Sequence, residues 1–223
     1  MKEISLPKKI RVGGFIYDII YPYVFNTTTN EMKGIHCTTS STIKIAKFAN
    51  DKIIRSKEKI METFLHETIH AIDTSYLGGR LEEDDIAAIT YGIFDAIRNN
   101  KFFIMKDKVP KKFRVGGFVY SVISNFKFID SITDDIFSVE YDLLEIRFST
   151  KGENEHHSLE FIRFLVLLGQ LYAIFHNYNV KFFENEDDKL HLMHSFCSGV
   201  KQAFEDNKLE ECIRRVLIIN EKD

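Results

Sequence analysis

Two histidines four residues apart, His66 and His70, bracket a carboxylate in the run His66-Glu67-Thr68-Ile69-His70. On an α-helix, positions i and i+4 share one face about 6 Å apart along the axis, so both imidazoles can point at one ion. Zinc accepts imidazole nitrogen at about 2.0–2.1 Å, and two such rings supply half of a tetrahedral set. Glu67 stands about 100° round the helix from His66, where a carboxylate reaches a water on the metal without ligating it. His66 and His70 as ligands, with Glu67 as general base, is the hydrolytic arrangement of zinc peptidases.

A catalytic zinc takes three protein ligands and keeps one position open. The acidic run Glu82, Glu83, Asp84, Asp85 offers the third. Glu83 lies three residues before Ile86 and seven before Thr90, on the side expected to face the first helix, and is the choice. The other three compete, because a helix start is read from sequence with an error of a residue. A five-residue pattern of this kind arises by chance in on the order of one chain per hundred of this size. Its position within a helix, ahead of an acid-rich helix start, lifts it above that background.

The elements that position these residues occur twice. Pro7-Lys-Lys-Ile-Arg-Val-Gly-Gly-Phe-Ile-Tyr17 returns as Pro110-Lys-Lys-Phe-Arg-Val-Gly-Gly-Phe-Val-Tyr120, with nine of eleven positions identical and the other two apolar exchanges. Such self-similarity marks a tandem duplication. The units are expected at 1–103 and 104–223, with the junction near 101–109. Each unit reads as a strand over 12–20 entered through a bend or bulge at Gly13-Gly14, a loop at 26–30, a short segment at 34–38, and a strand over 42–47 with Ile43 and Ile45 on one face. A small antiparallel meander is the expected result.

The spacing then predicts a helix over 51–76, with Met61, Leu65, Ile69, Ile72 and Tyr76 on one core-facing stripe, stopped by Gly78-Gly79. A second helix over 82–99 turns Ile86, Ile89, Ile93 and Ile97 inward and carries acids in its first turn. The second copy repeats the order, with strands near 113–129, 136–141 and 143–149 and helices near 156–178 and 187–206. A helical segment follows Lys208. The fold class expected is α+β, in two tandem units, each a meander followed by two helices.

Comparing the copies isolates the site. Aligning Ala71-Ile72 with Ala173-Ile174 puts Leu168, Gly169 and Tyr172 at the places of His66, Glu67 and His70. Aligning Gly92 with Gly199 puts Leu190 opposite Glu83 and Leu192 opposite Asp85. Ligands and base disappear together, as members of one site would, and apolar replacements imply a filled second cleft. His156, His157, His176, His191 and His194 read as exposed or capping residues, and His36 and Cys37 as strand residues near the cleft rim.

Bulk composition bounds the classes. The 223 residues carry a net charge of −3, without a basic face, so no nucleic-acid partner is expected. Hydrophobic residues at 44% and 20 phenylalanines suffice for two compact cores of about a hundred residues each. Three cysteines without close spacing read as reduced thiols. No apolar leader precedes Lys9, and the most apolar run, 164–175, contains Gln170 and is shorter than the roughly 20 residues a span needs. A soluble cytoplasmic chain without a membrane partner is the expectation.

The segment His66-Glu-Thr-Ile-His-Ala-Ile-Asp73, preceded by the Pro-Lys-Lys-Ile-Arg-Val-Gly-Gly strand and followed by Leu81-Glu-Glu-Asp-Asp-Ile-Ala-Ala-Ile-Thr-Tyr-Gly92, resembles the small phage-encoded zinc-peptidase-like proteins. These are similar to the ImmA/IrrE and SprT-like metallopeptidases. The resemblance covers residues 7–100 and reaches the second copy through the repeat. It implies a minimal zincin fold, Zn2+ held by His66, His70 and an acid of the second helix, Glu67 as base, and a phage or prophage source, hence the host cytoplasm.

Two functions follow as expectations. One is a metallopeptidase that takes its protein or peptide substrate as an added strand along 42–47, with Tyr76 and Tyr91 as candidate oxyanion donors. Its degenerate copy would pack on the first as two subunits do in a dimer, leaving a pseudo-dimeric monomer. The other is a non-catalytic module with structural zinc that captures a host defence or regulatory protein.

Overall fold

Val12 and Phe15 face each other across two glycines, so the repeated Val-Gly-Gly-Phe is a tight hairpin rather than one bent strand. Strand β1 (Lys9–Val12) pairs antiparallel with β2 (Phe15–Tyr23). The first turn residue, Gly13, has φ +58°, and in the second copy Gly116 and Gly117 have +56° and +88°. In the second copy positive φ at both central residues is the type I′ geometry that suits the twist of hairpin strands, while in the first only Gly13 takes it, and a side chain at these positions would be strained. The computed structural model describes residues 4–25, 32–49, 53–100, 109–128, 136–150, 158–182 and 189–220. The loop expected at 26–30, most of the junction, and His156 and His157 lie outside the described residues.

The sheet is not a meander. Strands β3 (Gly34–Cys37) and β4 (Thr42–Ala46) form an antiparallel hairpin, but β4 sits beside β2 and runs parallel to it, giving the order β1-β2-β4-β3. Burial explains the choice. Ile43 and Ile45 are fully buried, which suits an inner strand, whereas β3 has no fully buried residue and takes the edge. In the second copy β5 (Lys112–Val115), β6 (Phe118–Ser124), β7 (Phe137–Glu140) and β8 (Glu145–Phe148) repeat this mixed order as β5-β6-β8-β7.

Each sheet is followed by a helix pair. Helix α1 (Lys57–Tyr76) starts later than the periodicity suggests because Ser56 caps it, its Oγ accepting from the Lys59 N–H at 3.2 Å. Ser158 caps α3 (Leu159–Asn177) in the same way through Phe161. On α1 the stripe Met61, Leu65, Ile69 and Ile72 is buried, as are Ile86, Ile89, Ile93 and Ile97 on α2 (Glu83–Asn99). Helices α4 (Lys189–Asn207) and α5 (Leu209–Asn220) complete the described residues. By length and composition α3 could cross a membrane, but 56% of its apolar window is buried inside the protein. Its apolarity is that of a helix packed on a sheet and on other helices at once.

The four helices α1 to α4 close a ring, with α1 on α2 and α4, and α3 on α2 and α4. A Cβ at Gly92 would overlap Ile174 Cγ2 and stand 3.1 Å from Tyr178 Cδ2; at Gly199 it would stand 2.6 Å from Tyr76 Cδ2 and 2.8 Å from Ile72 Cγ2. These are matched pairs, so each unit inserts its second helix against the other's first in a pseudo-two-fold. The sheet edges obey the same symmetry. The Arg11 N–H donates to Asn207 Oδ1 and its carbonyl accepts from Asn207 Nδ2, both at 2.7 Å; Arg114 does the same with Asn100 at 2.8 and 2.6 Å. Gly13 donates to Gln202 at 2.8 Å, and Gly116 to Asp95 at 3.1 Å. These bonds cover the outer edges of β1 and β5.

One hydrophobic cluster therefore runs through both copies, correcting the expectation of two separate cores. The reason is that α1 and α2 are apolar on two sides, toward their own sheet and toward the opposite helices. Helix α5, without a counterpart in the first copy, packs back onto α1 and α2. Because the space at Gly92 is already filled, Gly92→Ala is expected to destabilise the fold by about 1–3 kcal/mol through overpacking. Denaturant titration against wild type measures this, and an unchanged midpoint would mean that the helices can part at no cost.

Candidate metal centre

Helix α1 passes beneath the edge strand β3, and its two histidines project from adjacent turns toward the start of α2. The Nε2 atoms of His66 and His70 are 3.2 Å apart. Glu83 places Oε1 2.9 Å from His66 Nε2 and Oε2 3.2 Å from His70 Nε2. Ligands on a tetrahedron of radius about 2.0–2.1 Å are spaced about 3.3–3.4 Å apart, so the two nitrogens and the carboxylate stand near the spacing a zinc ion requires. The three donors lie within 4.8 Å of one another, and among the described residues no other trio of His, Cys, Asp or Glu does so. Glu83 is 68% exposed, which leaves the cluster open to solvent on one side.

Burial, helped by the neighbouring His66, lowers the pKa of His70, while Glu83 opposes the shift. The neutral imidazole, the form that can ligate a metal, is thereby favoured. The competing acids are placed elsewhere. Asp85 is buried and accepts the Lys181 N–H at 2.8 Å; Glu82 is the residue before the helix, and Asp84 is exposed and outside the cluster. In the second copy His176 stacks on Tyr141 at 4.0 Å, and His194 meets Phe164 edge-on at 5.8 Å.

Glu67 lies between α1 and β3 and is 6% exposed. Burial raises its pKa to about 7, with the His36 backbone N–H pulling it down and the charge of Glu83 pushing it up. A carboxyl that titrates near neutrality can both take and return a proton. Its room depends on Gly34: a Cβ there would overlap Glu67 Oε1 and stand 2.6 Å from Thr63 Cγ2. The strand is held at that height by the buried Arg55, whose guanidinium donates to the carbonyls of Lys33, Ala46 and Lys59 at 3.2, 2.9 and 2.7 Å, and to Thr63 Oγ1.

His36, read from sequence as an ordinary strand residue, belongs to the site's wall. Its ring lies parallel to His70 at 6.4 Å, and burial, then His70, lowers its pKa to about 4, so it stands there uncharged. Asp73, one turn beyond His70, accepts the Arg80 and Leu81 N–H groups at 3.0 and 3.2 Å and ties the end of α1 to the approach to α2. The signal for Gly34 and His36 was available in the repeat, where Phe137 and Val139 stand opposite them.

In the second copy the space matched to the Glu67 carboxyl is filled. Phe137 replaces Gly34 and Gly169 replaces Glu67, so large and small residues have changed places. A Cβ at Gly169 would overlap Ile146 Cγ2 and stand 3.3 Å from Phe137 Cε2. The Phe137 ring then packs at 5.9 Å from Tyr172, the residue matched to His70.

In the first copy a cleft of about 330 Å³ opens beside the cluster, lined by Gly34, Thr63, His66, Glu67, Glu83 and Tyr91 among others. Tyr91 thus borders the site, but Tyr76 does not serve it: its hydroxyl donates to Gln202 in the second unit at 3.3 Å. The expected docking edge at 42–47 is also corrected. As β4 is an inner strand, the outer strand beside the site is β3. Comparison with family models, with curated proteins and with solved structures finds no match to this chain.

A carboxyl whose folded pKa is raised to about 7 stabilises the fold below its unfolded pKa and loses that contribution as pH rises through the folded value. In metal-free protein, the stability of Glu67→Gln relative to wild type should therefore rise between about pH 4.5 and about pH 8, by up to about 3 kcal/mol. Denaturant titrations at both ends of this range, with chelator present, measure it. Parallel pH profiles would contradict a raised pKa.

Proposed function

We propose that the first unit is a zinc-dependent peptidase and that the second is its degenerate structural partner. The observation that carries this reading is the convergence of His66, His70 and Glu83 at 2.9–3.2 Å, with the buried carboxyl of Glu67 alongside. The donor set, two imidazoles and one carboxylate, suits a catalytic rather than a closed structural zinc site. Resemblance of residues 7–100 to the phage zinc-peptidase-like proteins and the ImmA/IrrE and SprT-like enzymes points the same way.

Zinc on these three ligands would lower the pKa of its water to about 7 and polarise the scissile carbonyl. The chain's own residues do the rest. Glu67 takes the proton of the attacking water and returns it to the leaving amine nitrogen. A peptide adds to β3 as an outer strand, which brings its carbonyl over the cleft between α1 and α2. Tyr91, which lines the same cleft, would offer its hydroxyl to the developing oxyanion.

A second copy kept without a site would, taken alone, favour the non-catalytic alternative, a host-protein binder on the same scaffold. Interleaved helices give that copy a structural reason to persist, so its retention no longer favours binding. The test is metal content together with cleavage of a peptide library. Wild type is expected to carry one zinc per chain and His70→Ala none, while Glu67→Gln keeps the metal and loses cleavage by about a hundredfold or more. Cleavage unchanged in Glu67→Gln would remove the mechanism; activity in cells that survives this substitution would favour the binder.

A further inference from the structure

We infer that the second unit holds the third ligand in place, with Asp85 as the positioning residue for Glu83. The inference rests on the metal site proposed above. Glu83 is the first residue of α2, and Glu82, which precedes it, makes no side-chain capping bond. Most of the Glu83 side chain is exposed, so neither a cap nor packing around its own atoms fixes it. Among the described residues its carboxylate meets only the two histidines beside it, and its approach to them is set by the backbone of the first turn of α2.

That turn is tied on two sides. From the first unit, Asp73 accepts the N–H groups of Arg80 and Leu81. From the second unit, the Lys181 N–H donates to Asp85 Oδ1 at 2.8 Å, and the Phe182 ring lies 5.4 Å from the Arg80 guanidinium. The donor segment is itself anchored, because Val180 is buried and its N–H bonds the Phe175 carbonyl at 3.0 Å. Asp85 is 7% exposed, two residues from the ligand, and its carboxylate is directed at the other unit.

Symmetry gives the tie its meaning. The bonds of Arg11 and Gly13 to the second unit have counterparts at Arg114 and Gly116. The bond from Lys181 has none: Leu192 stands opposite Asp85, and an apolar side chain cannot accept it. Here a polar tie that breaks the pseudo-two-fold serves the helix that carries the ligand. The second unit thus acts on the chemistry of the first through the placement of Glu83.

The experiment measures zinc affinity of the full-length chain by competition with a chromophoric chelator, beside thermal stability, for wild type, Asp85→Ala, Asp85→Asn, Phe182→Ala and Asn207→Ala. Residues that orient a metal ligand through the surrounding shell typically change affinity by about 10–100-fold when removed, so Asp85→Ala should weaken zinc binding about tenfold. Asp85→Asn retains an oxygen for the Lys181 N–H and should stay within about threefold. Asn207→Ala removes a symmetric inter-unit bond at β1; it should lower the melting temperature without changing zinc affinity. Wild-type affinity in Asp85→Ala would overturn the positioning role. If that variant does not fold, Phe182→Ala carries the test, with a several-fold loss expected and an unchanged affinity overturning the role. A wild-type chain that binds no zinc would instead overturn the metal site itself.

Discussion

The helices of the two copies approach so closely at Gly92 and Gly199 that no side chain fits between them. Much else is set by that distance. It merges the two repeats into one core and brings the C-terminal ends of α2 and α4 against β5 and β1, where asparagines occupy edges that would otherwise be open to pairing. It also covers α1 on the side away from its own sheet. What α1 has left to present is the strip between β3 and the start of α2, and that strip carries His66 and His70.

Within the strip, neighbouring residues of one helix meet different surroundings. His66 and His70 are partly exposed and turned toward Glu83, while Glu67 is pressed under the edge strand. A carboxylate in that position would normally be neutralised by a cation or excluded. Here its proton affinity is raised instead, and one backbone N–H of β3 limits the rise. The strand can lie this low because position 34 has no side chain and because the Arg55 guanidinium gathers three carbonyls from the strands and the helix into one fixed junction. Glu67 and the two histidines owe their different surroundings to a rotation of about 100° about the helix axis.

Helical periodicity made α1, α2 and the shared face of His66 and His70 legible, and helix phase singled out Glu83 among four adjacent acids. The same reasoning could not see that Asp85 is engaged by a backbone N–H from the second unit, since that partner lies 96 residues away. Alternation showed Ile43 and Ile45 on one face but not which strand would lie beside them. That depends on competition for the interior of the sheet, and β4 displaced β3 to the edge. Gly92 and Gly199 served to align the copies, yet their mutual role needs the opposite unit in place. His36 was underrated because an isolated strand histidine says little by itself; its neighbours supply the meaning.

The exchange of bulk between the two copies couples two positions. In the first, a glycine on the edge strand faces a glutamate on the helix; in the second, a phenylalanine faces a glycine. A glutamate at position 169 alone would be driven into Ile146 and the phenyl ring, while trimming the half-buried Phe137 alone would strip its packing from Gly169 and Tyr172. Each half of the reversal is therefore harmful without the other. A carboxylate at position 169 and the Phe137 ring exclude each other, and a cleft like that of the first copy would need both positions changed together.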